Sequence, residues 1–270
     1  MPRQKLFIII ASCLFVLGVV GSLITYQTAG ASSEDVTETK VVENQNIMKL
    51  DIETDNARVD VLPTTDENIK VEFVAPGTNI SKYKFTVEEE GNSLSIEVKE
   101  KRLQFLSFDL DLSFKGPNVT LYLPEKQYEE LDIDVINGRV NIEDVKVADV
   151  EVETVNGRIE LTQLQTTTTS VSSENGGIQL TNVDGEITSE VVNGRTTVLT
   201  EDLDRSMNLE SINGRIEVET AKGPTNATIE VDVVNGKVDI FGESSRSAVI
   251  GDGEHKIKLK TVNGNITVSN

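Results

Sequence analysis

The chain has 270 residues and a formal net charge of −20, from 45 Asp and Glu against 25 Lys and Arg. So acidic a surface repels DNA, RNA and anionic lipid headgroups, which excludes nucleic acid as a partner. A single cysteine, Cys13, excludes an intramolecular disulfide. The absence of Trp, with Val, Ile and Leu alternating with Thr, Glu and Asp, favours thin stacked β layers over one large globular core.

Residues 1–5 carry Arg3 and Lys5, and residues 6–26 follow without a charge. An apolar helix of that length, at about 1.5 Å per residue, spans the ~30 Å of a bilayer core. Positive charge before it and acid after it orient the N-terminus to the cytoplasm, leaving the C-terminal domain extracytoplasmic. A single-pass membrane anchor is therefore expected. Two alternatives stay open: signal cleavage at Ala29-Gly30-Ala31, and a lipobox at Ile10-Ala11-Ser12-Cys13. All three export the rest of the chain. Residues 27–46, rich in Ser, Thr and Glu, read as a flexible extracytoplasmic tether.

A β domain is expected from residue 47 onward, irregular over 47–128 and regular over 129–270. The regular part repeats one phrase, as in Val155-Asn156-Gly157-Arg158-Ile159. Its corners are Asn137-Gly138, Asn156-Gly157, Asn175-Gly176, Asn193-Gly194, Asn213-Gly214, Asn235-Gly236 and Asn263-Gly264, with steps of 19, 19, 18, 20, 22 and 28 residues between the asparagines. Counting from Asn as zero, apolar residues fall at −6, −4, +3 and +5, and a small or β-branched residue at −2. That alternation describes two short strands, each with one buried face. Asn and Gly both tolerate positive φ, as a tight corner requires. The five inward side chains of a single coil fall short of the entropy lost in ordering it, so each coil needs neighbours. The near-constant step supplies them. The predicted fold class is all-β: a parallel β-solenoid or β-helix-like repeat domain of about 19–22 residues per regular coil. A meander of Asn-Gly hairpins is the alternative.

The template also fits earlier, with Ala57 in place of Gly after Asn56, with Gly91-Asn92, and with Gly116-Pro117; Lys101–Ser107 reads as an insertion. Stacking places like residues in rows. Arg139, Arg158, Arg195, Arg215 and Lys237 form a basic row at +2. Asp134, Glu153, Glu190, Glu210 and Asp232 form an acidic row at −3 that would offset it. Lys256, Lys258 and Lys260 precede the last phrase and read as an aggregation-resistant end of the stack. Position −1 holds Ile136, Val155, Val192, Ile212, Val234 and Val262, broken by Glu174. With the asparagines pointing inward, this row becomes an exposed apolar stripe, the candidate partner surface; otherwise the corner buries it.

No catalytic, cofactor-binding or metal-binding residues are expected. The only histidine, His255, lies in an acidic loop, and no nucleophile elbow, zinc-protease or phosphate-loop motif is present. A polysaccharide-active enzyme on a β-helix would need sugar-stacking aromatics, and the four Tyr are scattered through residues 26–128.

The cationic start, single apolar segment, polar tether and iterated Val-Asn-Gly-Arg-Ile phrase resemble the LiaG-like adhesins of Gram-positive bacteria, with their toastrack-type repetitive all-β domain. The resemblance implies a membrane-anchored solenoid of the cell envelope, associated with envelope-stress signalling and without catalytic residues. Its expected function is a binding or scaffold module. The partner would be an envelope protein, or wall polymer if the chain is a cell-surface adhesin or spacer. Neither the identity of the partner nor the oligomeric state follows from the sequence.

Overall fold

The computed structural model describes residues 35–76, 80–101 and 116–270, which form one mixed 16-stranded sheet. The strands are β1 (Asp35–Val42), β2 (Lys49–Thr64), β3 (Ile69–Pro76), β4 (Tyr83–Glu90), β5 (Ser93–Glu100), β6 (Asn118–Pro124), β7 (Gln127–Glu143) and β8 (Lys146–Leu164). They continue with β9 (Thr168–Val183), β10 (Glu186–Thr200), β11 (Met207–Thr220), β12 (Ala227–Asn235), β13 (Val238–Ile240), β14 (Ser247–Ile250), β15 (His255–Asn263) and β16 (Ile266–Ser269). The apolar segment 6–26, Cys13 and the cleavage and lipobox alternatives lie outside the described residues. So does nearly all of the expected insertion, Lys101–Ser107. Among the described residues no helix is long and apolar enough to cross a membrane.

The expected solenoid is present. β2, β7, β8, β9, β10 and β11 stack in parallel and in register, phrase over phrase: Asn56 beside Asn137, then Asn156, Asn175, Asn193 and Asn213. Each is one long strand that bends at its phrase rather than two strands joined by a turn. Val150, Val152, Thr154, Ile159 and Leu161 of β8 are all buried, so both arms face one core. Across the bend of β10, Ser189 Oγ and Thr196 Oγ1 meet at 3.4 Å inside that core. Between −2 and +3 the in–out alternation slips by one residue, and the residues at −1 and 0 both point outward.

The reason for Asn-Gly differs from the turn argument. None of the phrase residues has positive φ. A Cβ on Gly194 would stand 1.6 Å from the carbonyl oxygen of Gly176 below it, and one on Gly214 would stand 1.6 Å from that of Gly194. Glycine is required because neighbouring backbones approach too closely for any side chain. The asparagines point outward, not inward, and form a ladder. Asn137 Nδ2 donates to Asn56 Oδ1 at 2.8 Å, Asn175 to Asn156 at 3.1 Å and Asn193 to Asn175 at 2.9 Å. Positive-φ corners do exist, seven residues after the Asn, at Asp144, Gln163 and Asn182 (φ 52–55°).

The two ends depart from chain order. The first coil is split: β5 stacks on the first arm of β2 and β6 on its second. Gly91-Asn92 is not a coil corner but the tip of the antiparallel β4–β5 hairpin, with Gly91 at φ 64°. Antiparallel β3 and then β1 cover the outer side of β6. β1 falls within the segment expected to be a tether. Of its side chains only that of Val42 is buried, so main-chain pairing with β3 holds the rest, a bond set that composition does not reveal. At the other end, the last phrase is not the last coil. β15 and β16 insert between β11 and the β12–β13 coil, and β14 pairs antiparallel with β12. Lys258 and Lys260 therefore lie inside the stack. Lys260 stands between Glu210 and Asp232 and bonds the Glu210 carboxylate at 3.3 Å. With Lys258 beside Glu230, the two lysines lie among three acidic neighbours instead of guarding an edge.

Candidate functional site

Period-two alternation along each first arm sends positions −5, −3 and −1 outward. In-register stacking turns each position into a row running along the solenoid. The −3 and −1 rows run side by side, with the −2 residues between them, and together line a groove of about 700 Å³. One wall is acidic: Asp134, Glu153, Glu190 and Glu210, with Lys260 beyond and Ser172 in the middle. The other wall is the −1 row, with Ile136 47%, Val155 36%, Val192 38% and Ile212 48% exposed. Val262 is half-buried between its neighbours, and Val234, on the outermost coil, is 67% exposed and lies beyond the groove. The corner does not tuck this row in. Glu174 replaces the apolar residue where Ser172 replaces the acid, so the coil of β9 inverts both walls at the groove's centre.

The arginines do not serve this acidic wall. Three of them pair with the acid at +4 of their own strand: Arg58 with Asp60 at 2.9 Å, Arg158 with Glu160 at 3.2 Å and Arg215 with Glu217 at 3.4 Å. The expected offset between the +2 and −3 rows is thus replaced by pairs within the second arm, whose +4 acids the sequence reading missed. Crowding follows on the acidic face. Burial, then Asp51 and Glu53, raises the Asp134 carboxyl above the usual range. Burial, then Asp134, Glu151 and Glu190, does the same to Glu153. Asp132, in the adjacent −5 row, is pushed up to about 6 by burial and by Asp134, Glu151, Asp51 and Glu130. An ammonium or guanidinium entering the groove would relieve that repulsion while its apolar neighbours covered the valine and isoleucine wall.

Among the described residues no group of three His, Cys, Asp or Glu is disposed to hold a metal ion. The fourteen corner residues Asn137 through Gly264 act in the stack itself: the glycines permit close approach and the asparagines bond between coils. They line the outer bend, not a reactive centre.

No curated protein matches the chain. It aligns with the crystal structure of a putative adhesin from Bacteroides fragilis at 14% identity, over 88% of this chain and 98% of that one, with a TM-score of 0.47. A putative adhesin from Parabacteroides distasonis aligns at 12% identity over 87% and 97%, with a TM-score of 0.47. A putative cell adhesion protein from Clostridium sporogenes aligns at 14% identity over 87% and 99%, with a TM-score of 0.43. TM-scores this low carry no inference about function. The family model Toastrack DUF4097 matches residues 47–144 and again 133–269, most of the chain, and the chain belongs to that family.

Proposed function

We propose that this chain is a membrane-tethered, extracytoplasmic binding module whose ligand surface is the groove between the −3 and −1 rows. The ligand is a basic, amphipathic polypeptide segment of an envelope partner. The observation that carries this reading is an acidic row left largely without counter-charges and an exposed apolar row lining the same groove. From Ile136 to Val262 the groove spans five coil steps, about 24 Å at ~4.8 Å per strand. That is the length of about sixteen helical residues at ~1.5 Å each. A LiaG-like role would make the partner a component of an envelope-stress sensor. Residues 6–26 would hold the module on the outer face of the membrane.

A photocrosslinker at Val192 or Ile212 in intact cells tests the reading. Capture of one defined membrane protein, abolished by Glu153→Lys, is the expected result. Capture of wall polymer would favour an adhesin or spacer instead, a reading that draws on the arginine row across the phrase. Glycan turnover lost on Asp134→Asn or Glu153→Gln would replace both with an enzyme.

A further inference from the structure

From β2 to β11 the arginine row is interrupted once, and the interruption is not forced by packing. Where β7, β8, β10 and β11 carry Arg at +2, β9 carries Gly177. Gly177 has ordinary φ, as the phrase glycines do, but unlike theirs a Cβ there would meet nothing nearer than the Arg195 carbonyl oxygen at 3.7 Å. Neither backbone nor neighbours demand a glycine. Its effect is to open a cleft of about 570 Å³ with Arg158 on one side and Arg195 on the other.

The lining of that cleft is unusual for a chain of net charge −20. It contains two guanidinium groups and no carboxylate; Gln179, Thr197 and Asn193 supply neutral hydrogen-bonding groups. At +4 the β9 coil has Gln179 where β8 has Glu160, which removes the acid nearest the gap. Arg158 pairs with Glu160 at 3.2 Å and Arg195 approaches Glu217 at 3.8 Å, and neither glutamate lines the cleft. Each guanidinium has five donors in a fixed fork, so one ion pair leaves donors for a ligand.

We infer that the cleft over Gly177 is an oxyanion site for a phosphate group, gripped from opposite sides by Arg158 and Arg195. Tetrahedral phosphate presents oxygens toward both forks, whereas a planar carboxylate satisfies only one bidentate partner well. The site is independent of the groove, on the other side of the phrase, and does not rest on the function proposed for it. The phosphate could be free or carried on a phosphodiester polymer at the cell surface.

The test uses the full chain in detergent micelles, with arginine side-chain Nε–H signals followed by NMR. The probes are inorganic phosphate and a synthetic glycerol phosphodiester oligomer. Saturable shifts of Arg158 and Arg195, with Arg58 and Arg139 unmoved, are expected. Gly177→Arg, which completes the row, and Arg195→Gln should each weaken binding at least tenfold, while Gly177→Ala should retain it. At least tenfold tighter binding of the oligomer would assign a polymer, and equal or weaker binding free phosphate; either supports the site. Non-saturable or row-wide shifts, or a folded Gly177→Arg chain that binds as wild type does, would overturn it. Unchanged thermal midpoint and circular dichroism confirm that Gly177→Arg remains folded.

Discussion

Two alanine substitutions on adjacent rungs, Gly194 of β10 and Gly177 of β9, should have opposite signs. In Gly194→Ala the new Cβ would sit 1.6 Å from the Gly176 carbonyl oxygen and 3.0 Å from Val191 Cγ1. Relief requires moving the β9 and β10 backbones apart by well over an ångström at the bend, because no flexible side-chain tip is available to yield. Separation weakens two or three ladder hydrogen bonds, at about 0.5–1.5 kcal/mol each. It also strains packed side chains, at about 1–3 kcal/mol. The expected cost is about 3–6 kcal/mol. In Gly177→Ala the nearest atom is at 3.7 Å and φ is ordinary, so the substitution only restricts the unfolded chain. That should stabilise by about 0.4–1 kcal/mol. Urea unfolding of the purified chain, followed by circular dichroism, reads both midpoints. Equal effects of the two substitutions, or a tolerated Gly194→Ala, would refute close backbone approach as the reason for the phrase glycine.

The asparagine ladder should contribute locally: Asn175→Ala removes bonds to both Asn156 and Asn193 and should cost about 1–2 kcal/mol in the same unfolding assay. Lys260→Glu would place three acids in adjacent rungs with Glu210 and Asp232. A loss of about 1–2 kcal/mol is expected, shrinking markedly in 1 M salt; a salt-independent loss would point to packing instead. Asp132 keeps its proton in the folded chain up to about pH 6, against 3.8 for the unfolded carboxyl, so the folded state binds more protons in between. Stability therefore falls as pH rises through that window. Asp132→Asn should match wild type below about pH 4 and exceed it above pH 6, by about 1 kcal/mol once solvent screening at this partly exposed site is allowed for. A variant advantage that is constant with pH would contradict the raised pKa of Asp132.

The period of the phrase and the alternation around it made the stacked coils legible, because inward residues such as Val152 and Ile159 must recur wherever a coil recurs. The match of Asn56-Ala57-Arg58 to the template was legible for the same reason, and Asn56 does lie beside Asn137. The role of the phrase was not. Asn-Gly signals a tight turn in local chemistry, whereas here it serves contacts between coils about 19 residues apart, to which local propensity is blind. The coil order was hidden because adjacent strands pair through main-chain groups that every residue carries. Only Lys258 and Lys260, basic where other coils are acidic, hinted that β15 lies between acidic neighbours. The groove followed from the −1 row, but its acidic wall was assigned to the arginines, whose actual partners two residues along the same strand alternation could have suggested.

The order of coils is the most direct test of in-register stacking. Spin labels on outward −5 positions, in a Cys13→Ser background, would measure Asp51 to Lys258 and Asp51 to Glu230 by pulsed dipolar spectroscopy. Six and seven coil steps separate these pairs, giving about 29 Å and about 34 Å at ~4.8 Å per step. The residue later in sequence should therefore be the nearer one. A longer distance to Lys258 than to Glu230 would contradict the inserted last phrase, and distances unrelated to multiples of the strand spacing would contradict the solenoid itself.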